Sequence, residues 1–281
     1  MDSGSDTSYH PAFFFRGIVE MVSSGVGAAT KYYLATITYR EDVAADLWKI
    51  RVNPGGDFRF VAGQYATIGV SDGEKICERP YSIVSSPYER ELEFYFELVP
   101  HGALTPLLHR LSVGSQLFVR KVAKGRFTLD LQSGHKNHLL LSTVTGVAPF
   151  VSFVRTLEMD AKENKVPAGM HLYAINGASR SWELGYQTEM DRAATGASPW
   201  LSYLPTVSRP WDDQPWQGER GRVEDVLRKF TDRWGIKSEE STAYLCGHPM
   251  MVEHCNGILT RIGFSKENIR EEVYWIPDKA E

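Results

Sequence analysis

At 281 residues the chain is long for one hydrophobic core and suits two. Its 31 basic residues stand against 35 acidic ones, a net charge of -4, so no overall attraction to nucleic acid or to an anionic membrane surface is expected. Three cysteines, Cys77, Cys246 and Cys255, are too few and too scattered for a disulfide framework, a zinc site or a Cys-ligated iron–sulfur cluster, so no metal site is expected and any redox centre is organic.

Residues 1–31 read as an N-terminal extension. Asp2 and Asp6 precede the apolar stretch Ala12-Phe13-Phe14-Phe15, and Arg16 and Glu20 interrupt it, which is unlike a secretory signal and points to a cytoplasmic protein. No run approaches the roughly 20 apolar residues of a membrane span. Ser23 to Ala29 is small-residue linker material.

From residue 32 to 134 the pattern is short and β-like. Predicted strands cover Tyr33 to Tyr39, Leu47 to Val52, Tyr65 to Val70 and Leu92 to Val99, and between them stand Pro54-Gly55-Gly56, Ser71-Asp72-Gly73 and Pro100-His101-Gly102. Short strands at such spacing predict an antiparallel barrel or sandwich. A helix is predicted from Thr105 to Leu111, entered through Gly102-Ala103-Leu104, and a helix entry after a glycine offers free amides to an anion. An ordinary connector helix is the alternative.

The segment Arg79-Pro80-Tyr81-Ser82 supplies a fixed cation, a rigid bend, an aromatic face and a small hydroxyl. Strand alternation sends Arg79 and Tyr81 to one face and Pro80 and Ser82 to the other. An arginine fork suits a pyrophosphate and a tyrosine ring suits a flat heterocycle, so the segment is a candidate cradle for a large anionic cofactor. An edge strand carrying a surface arginine is the ordinary alternative.

Beyond Gly134 strands and helices alternate. His138 to Ser142, Met170 to Ile175, Trp200 to Leu204 and Ser241 to Cys246 read as strands, with helices near Phe150 to Leu157, Glu183 to Ala194, Arg222 to Trp234 and Pro249 to Arg261. This predicts a doubly wound parallel sheet over 135–281 whose ligand lies outside the carboxyl ends of its strands. At those ends Thr145-Gly146 opens a turn before Pro149, Ser179-Arg180 follows the second strand, and Arg209 follows the third. Arg222 follows Gly221, Cys246-Gly247 ends the last strand, and Tyr274-Trp275 stands near the terminus. Gly146 permits a close backbone approach, and the arginines suit a ribose phosphate. Each arginine taken singly is equally an ordinary surface residue, and Cys246 an ordinary packed one.

Taken in order, Arg79-Pro-Tyr-Ser82, Leu92-Glu-Phe-Tyr-Phe96, Val99-Pro-His-Gly102, Thr145-Gly-Val-Ala-Pro149, Val207-Ser-Arg209, Cys246-Gly-His-Pro-Met250 and Tyr274-Trp275 resemble the motifs of the ferredoxin/flavodoxin-NADP reductase family, bacterial type. The resemblance implies FAD on the barrel and NADP(H) on the second domain. It places Arg79, Pro80, Tyr81, Ser82, Val99, Gly102, Ala103, Leu104 and Thr105 around the flavin and its pyrophosphate, Tyr274 against the isoalloxazine and Trp275 near the adenine. For the nicotinamide nucleotide it implies Thr145 and Gly146 at the pyrophosphate, Arg180, Arg209 and Arg222 at the 2'-phosphate, and Cys246 facing the nicotinamide. Cys246, Tyr274 and Ser82 are the expected catalytic residues.

Three departures stand out. Val144 occupies the first glycine position of the family's Gly-Thr-Gly turn, the chain continues past Trp275 to Glu281, and Pro210 to Gly218 is inserted after Arg209. Asp212 and Asp213 in that insertion would repel a 2'-phosphate if they pointed inward, which keeps NADH in play as donor. The expected activity is FAD-dependent transfer of hydride between NADPH and flavin and of single electrons to or from a ferredoxin or flavodoxin. The alternatives are the reductase component of an oxygenase, a free-flavin reductase, and a non-enzymatic flavin or nucleotide sensor.

Overall fold

The computed structural model describes residues 31–274. Strands β1 (Tyr32–Asp42), β2 (Leu47–Asn53), β3 (Tyr65–Ser71), β4 (Ile76–Ser82), β5 (Leu92–Glu97) and β6 (Gln116–Arg120) form one sheet, with helix α1 (Thr105–His109) before β6. The order is β4-β3-β6-β1-β2-β5 and every pairing is antiparallel. It is a half-barrel whose edges, β4 and β5, are drawn together just past Ser82, where the Val84 amide donates to Glu93 O at 2.9 Å. Alternation along the strands fills the interior with Ala35, Ile37, Ile50, Ile68, Phe94, Phe96 and Val119, all 2 % exposed or less.

The second sheet is parallel throughout. It comprises β7 (Asn137–Thr143), β8 (His171–Ala178), β9 (Leu201–Val207), β10 (Glu219–Arg220), β11 (Ser241–Gly247) and β12 (Ile269–Val273), in the order β10-β9-β8-β7-β11-β12. Helices α2 (Ala148–Lys162), α3 (Gln187–Arg192), α4 (Val223–Arg233) and α5 (Pro249–Arg261) cover its faces. In α4 the buried residues Val223, Val226, Leu227 and Phe230 recur at helical spacing, and Asp225 closes its first turn by accepting the Arg222 amide at 2.9 Å. Chain order reverses direction between β7 and β11, so the crevice at their carboxyl ends is the switch point where such sheets bind ligands.

Leu140, Phe150, Phe153, Val154 and Tyr244 share one core cluster with Leu47, Ala62, Val84, Tyr95 and Phe127, so apolar packing is continuous from the parallel sheet into the half-barrel. A polar cluster beside it does the same. Arg155 of α2 donates to Glu93 of β5 at 3.2 Å through each of two nitrogens and to Glu189 of α3 at 2.7 and 2.9 Å, while Tyr186 donates to Glu93 at 2.6 Å. Glu93 is 3 % exposed, and despite its burial the Arg155 guanidinium and the Tyr186 hydroxyl hold its pKa below the ordinary value.

Several expected elements came out differently. The strand from Leu92 stops at Glu97, because Leu98 turns to donate to Asp46 O and Pro100 has no amide to offer a ladder. The helix expected from Glu183 to Ala194 splits into a 3₁₀ turn, Ser181–Glu183, and α3. Tyr95 Oη donates to Glu183 O at 3.1 Å, and a side chain at Gly185 would lie 2.6 Å from that hydroxyl oxygen, so the barrel occupies the path of a continuous helix. The short strands β6 and β10 carry weak alternation and were not foreseen as sheet members. Among the described residues no helix is long and apolar enough to cross a membrane, and none of the His, Cys, Asp and Glu groupings suits a metal.

Candidate functional site

The register of β4 against β3 sets Arg79 opposite Ile68 and Tyr81 opposite Ala66, with Pro80 and Ser82 opposite Thr67 and Tyr65, so the two expected pairs do take opposite faces. Tyr81 is half-buried, edge-on to Phe96 with ring centroids 4.7 Å apart. Arg79 is exposed, donates to Glu78 O at 2.8 Å and forms no ion pair with a described residue, so its fork is open to an anion. The loop from Val99 to Thr105 is tied by Thr105 Oγ1, which accepts the Val99 amide at 3.0 Å and lies 3.2 Å from Val99 O, and by the Gly102 amide, which donates to Val99 O at 2.8 Å. The amides of Ala103, Leu104 and Thr105 have no acceptor among the described residues. α1 has only five residues, so it adds little dipole; what the loop offers an anion is its individual amides.

At the switch point the turns after β7 and β11 pack directly together. A side chain on Gly146 would lie 2.2 Å from Cys246 O, and one on Gly247 2.4 Å from Thr143 Oγ1. Thr143 Oγ1 in turn accepts the His248 amide at 2.9 Å. The absent side chains therefore let two strand ends join, which gives Gly146 and Gly247 a packing reason to be small. Val144, in the 3₁₀ turn Val144–Val147, has φ +44°, a left-handed conformation that disfavours β-branched residues. Its side chain packs against the cluster of Ala178, Leu184, Val207 and Trp216, and that contact holds the turn in place.

Cys246 is fully buried, and burial pushes its thiol well above the usual range. The hydroxyl end of Tyr274 lies beside it and 3.5 Å from Thr145 O, at the limit of a hydrogen bond, while Tyr274 as a whole remains 40 % exposed. β12 pairs Glu272 with Cys246, and Ser82 Oγ donates to Glu272 Oε1 at 2.5 Å across the two sheets. Burial raises the Glu272 pKa against the opposing effect of the Ser82 hydrogen bond. Ser82, Cys246, Glu272 and Tyr274 thus converge, beside a cleft of about 650 Å³ lined by Tyr65, Gly125, Arg126, Phe127, Arg270, Glu271 and Glu272. Glu272 was missed by the sequence reading, although i, i+2 spacing on a strand already puts it on the face of Tyr274. Trp275 lies outside the described residues.

The three arginines differ. Arg209 and Arg222 are exposed at the ends of β9 and β10; Arg209 forms no ion pair with a described residue, and Arg222 lies 3.9 Å from Glu224. Arg180 is engaged, at 3.4 Å with Glu183 and 2.9 Å with Asp212. Asp213 points inward but is spent on the loop itself, 3 % exposed and accepting the Ser181 amide at 2.7 Å.

Comparison with known proteins agrees with this geometry. Residues 140–257 match the oxidoreductase NAD-binding domain family. A crystal structure of a ferredoxin NADP+ reductase from Neisseria gonorrhoeae with bound FAD and NADP has the same fold, with a TM-score of 0.76 and 21 % identity over 87 % of this chain and 99 % of that one. Ferredoxin--NADP reductase of Pseudomonas aeruginosa is 31 % identical over 228 residues, 77 % of this chain and 83 % of that protein, and that of Azotobacter vinelandii is 30 % identical over 230 residues, 77 % and 84 %. With two relatives this similar over most of both chains, and with a half-barrel feeding Ser82 into the switch point of a parallel sheet, the chain belongs to the ferredoxin/flavodoxin-NADP reductase family.

Proposed function

We propose that this chain is an FAD-dependent oxidoreductase that exchanges hydride with NADPH and single electrons with a ferredoxin, or with a flavodoxin. In this reading residues 32–134 hold FAD and 135–281 hold NADP(H). The observation that carries it is the Ser82–Glu272 hydrogen bond, which joins the edge of the half-barrel to the last parallel strand beside Cys246 and Tyr274. The residues fit the cofactor: among the described residues the Arg79 guanidinium forms no ion pair and three loop amides from Ala103 to Thr105 lack acceptors, and Tyr81 presents a ring at the same sheet edge. FAD, when bound, supplies the conversion between a two-electron and a one-electron donor. The protein supplies placement. Arg79 and the loop amides bind phosphate oxygens, Tyr81 and Tyr274 offer ring faces, and the Ser82 hydroxyl with the Glu272 carboxyl holds a proton within reach of the cleft.

Arg209 and Arg222, exposed at the ends of neighbouring strands, are the cations most open to a 2'-phosphate. Arg209→Ala is expected to raise KM for NADPH much more than for NADH, a loss of about 1.5–3 kcal/mol for a charged hydrogen bond. The functional reading is tested by mixing the FAD-loaded protein with NADPH without oxygen and following the yellow absorbance, then adding ferredoxin or flavodoxin. Rapid bleaching and reduction of the carrier are expected. Bound FAD that no pyridine nucleotide reduces would establish the sensor instead.

A further inference from the structure

Arg180 is held by two carboxylates of different kinds. Glu183 is anchored by backbone: its Oε2 accepts the Ser179 amide at 2.8 Å, and its Oε1 is 3.4 Å from Arg180 Nη1. Asp212 is not anchored. Its side chain makes one hydrogen bond among the described residues, from Arg180 Nη2 at 2.9 Å, and remains 38 % exposed. The 3₁₀ turn Pro210–Asp212 that carries it belongs to the insertion after Arg209, and its position is set by neighbours other than the Asp212 side chain. The Asp212 amide donates to Arg209 O at 3.0 Å, Asp213 accepts the Ser181 amide, and the Trp216 amide donates to Asp213 O at 3.0 Å. Trp182 closes a further side, its ring 5.7 Å from the guanidinium carbon of Arg180.

We propose that Asp212 is a specificity-determining residue, an internal anion that occupies Arg180 and sets how strongly this chain prefers a 2'-phosphorylated nucleotide. The proposal rests on the nucleotide-binding reading above. A phosphate reaching Arg180 has to displace the Asp212 carboxylate and then lie close to it, two like charges around one guanidinium. A ribose bearing a free 2'-hydroxyl meets no such conflict, because the hydroxyl can donate to the carboxylate while Arg180 stays paired. Asp212 therefore narrows the gap between the two nucleotides, whereas Glu183, held through Oε2 by the Ser179 and Arg180 amides, keeps its place beside Arg180 whichever nucleotide binds.

The test is calorimetric binding of adenosine 2',5'-bisphosphate and of 5'-AMP to the full-length FAD-loaded protein, as wild type, Asp212→Asn, Arg180→Ala and the double variant. Asp212→Asn is expected to tighten the bisphosphate about tenfold, the size of one charge-assisted contact regained, and to leave 5'-AMP unchanged or weaker. In the Arg180→Ala background the same substitution is expected to change the bisphosphate less than about threefold, since a single charge acting through solvent is screened. An unchanged or weakened bisphosphate in Asp212→Asn overturns the proposal, as does an equal gain without Arg180. Wild-type protein that binds neither compound would overturn the nucleotide reading as well, which separates the two failures.

Discussion

Replacing Glu272 by Gln keeps the shape of the side chain and removes its capacity to hold a proton as a carboxyl. The 2.5 Å bond from Ser82 Oγ is short for its type, and hydrogen bonds to a charged partner contribute about 1.5–3 kcal/mol. If that bond aligns the Ser82 hydroxyl for proton transfer, its loss slows turnover roughly 10- to 150-fold, and general acid–base catalysis sets an upper range of about 10⁴-fold. Because burial raises the Glu272 pKa, the wild-type rate should decline as pH rises through that value, and the Gln variant should lack this limb. Turnover is measured as carrier reduction by NADPH across pH, with flavin content determined for each protein. Ser82→Ala and the double variant complete a cycle: residues acting as one unit give a double variant no slower than the worse single one. The stability sign separates chemistry from folding. A carboxyl whose folded pKa is raised disfavours the folded state above its unfolded pKa, so Glu272→Gln should be no less stable than wild type at neutral pH. A variant that keeps its rate within about threefold and retains the pH limb, or two losses that simply multiply, would refute the relay.

Three further substitutions probe the frame. Val144→Gly removes left-handed strain of about 1–3 kcal/mol while losing partial packing and gaining backbone freedom of similar size, so urea unfolding should shift by less than about 1 kcal/mol; a loss above roughly 2 kcal/mol would show that the turn is not strained. His138 is fully buried with its pKa pushed down to about 4, so unfolding takes up a proton between pH 4 and 6.5, and stability should fall as pH drops through that window by up to about 3 kcal/mol. His138→Leu should flatten that slope, and an identical slope in the variant would remove His138 as its source. Arg155→Met leaves the buried Glu93 with Arg51 and Tyr186 alone, and should cost about 3 kcal/mol in urea unfolding; a cost under about 1 kcal/mol would mean the cluster is solvated.

The parts of this fold that repeat along the chain could be read from it. β-branched alternation marked β1, β2 and β3, and buried runs followed by helical spacing marked β7, β8, β11 and their parallel order. Elements set by contacts distant in sequence could not. The helix after β8 breaks because Tyr95, some ninety positions earlier, reaches Glu183 O. The packing of Gly146 on Cys246 was not legible either, because Cys246 arrives from the opposite end of the domain. Among the candidate site residues, the strand placement of Arg79, Tyr81 and Ser82 and the opposite faces they take were legible from alternation. Glu272 was passed over for the aromatic residues after it, and only the β11 pairing puts it beside Cys246. The contrast between Arg180 and Arg209 is invisible in sequence, since it depends on how the insertion folds back.

The two edges of the half-barrel explain why the site sits where it does. An open antiparallel sheet has two unpaired edges to cover, and here both edge strands are turned against the second domain. β5 is fastened by Glu93 to Arg155 and Tyr186, and by Tyr95 to Glu183. The chain just past β4 is fastened by Ser85 O accepting from Ser152 at 2.7 Å, and β4 itself by Ser82 to Glu272. Ties on both edges oppose rotation about either one, so the two sheets are held across the crevice at two separated points. Only one of these ties, Ser82 to Glu272, lies beside the switch point and carries a titratable carboxyl. The same contact that ties the two sheets together therefore brings the Ser82 hydroxyl from one sheet to the Glu272 carboxyl on the other, at the crevice where the ligand is expected.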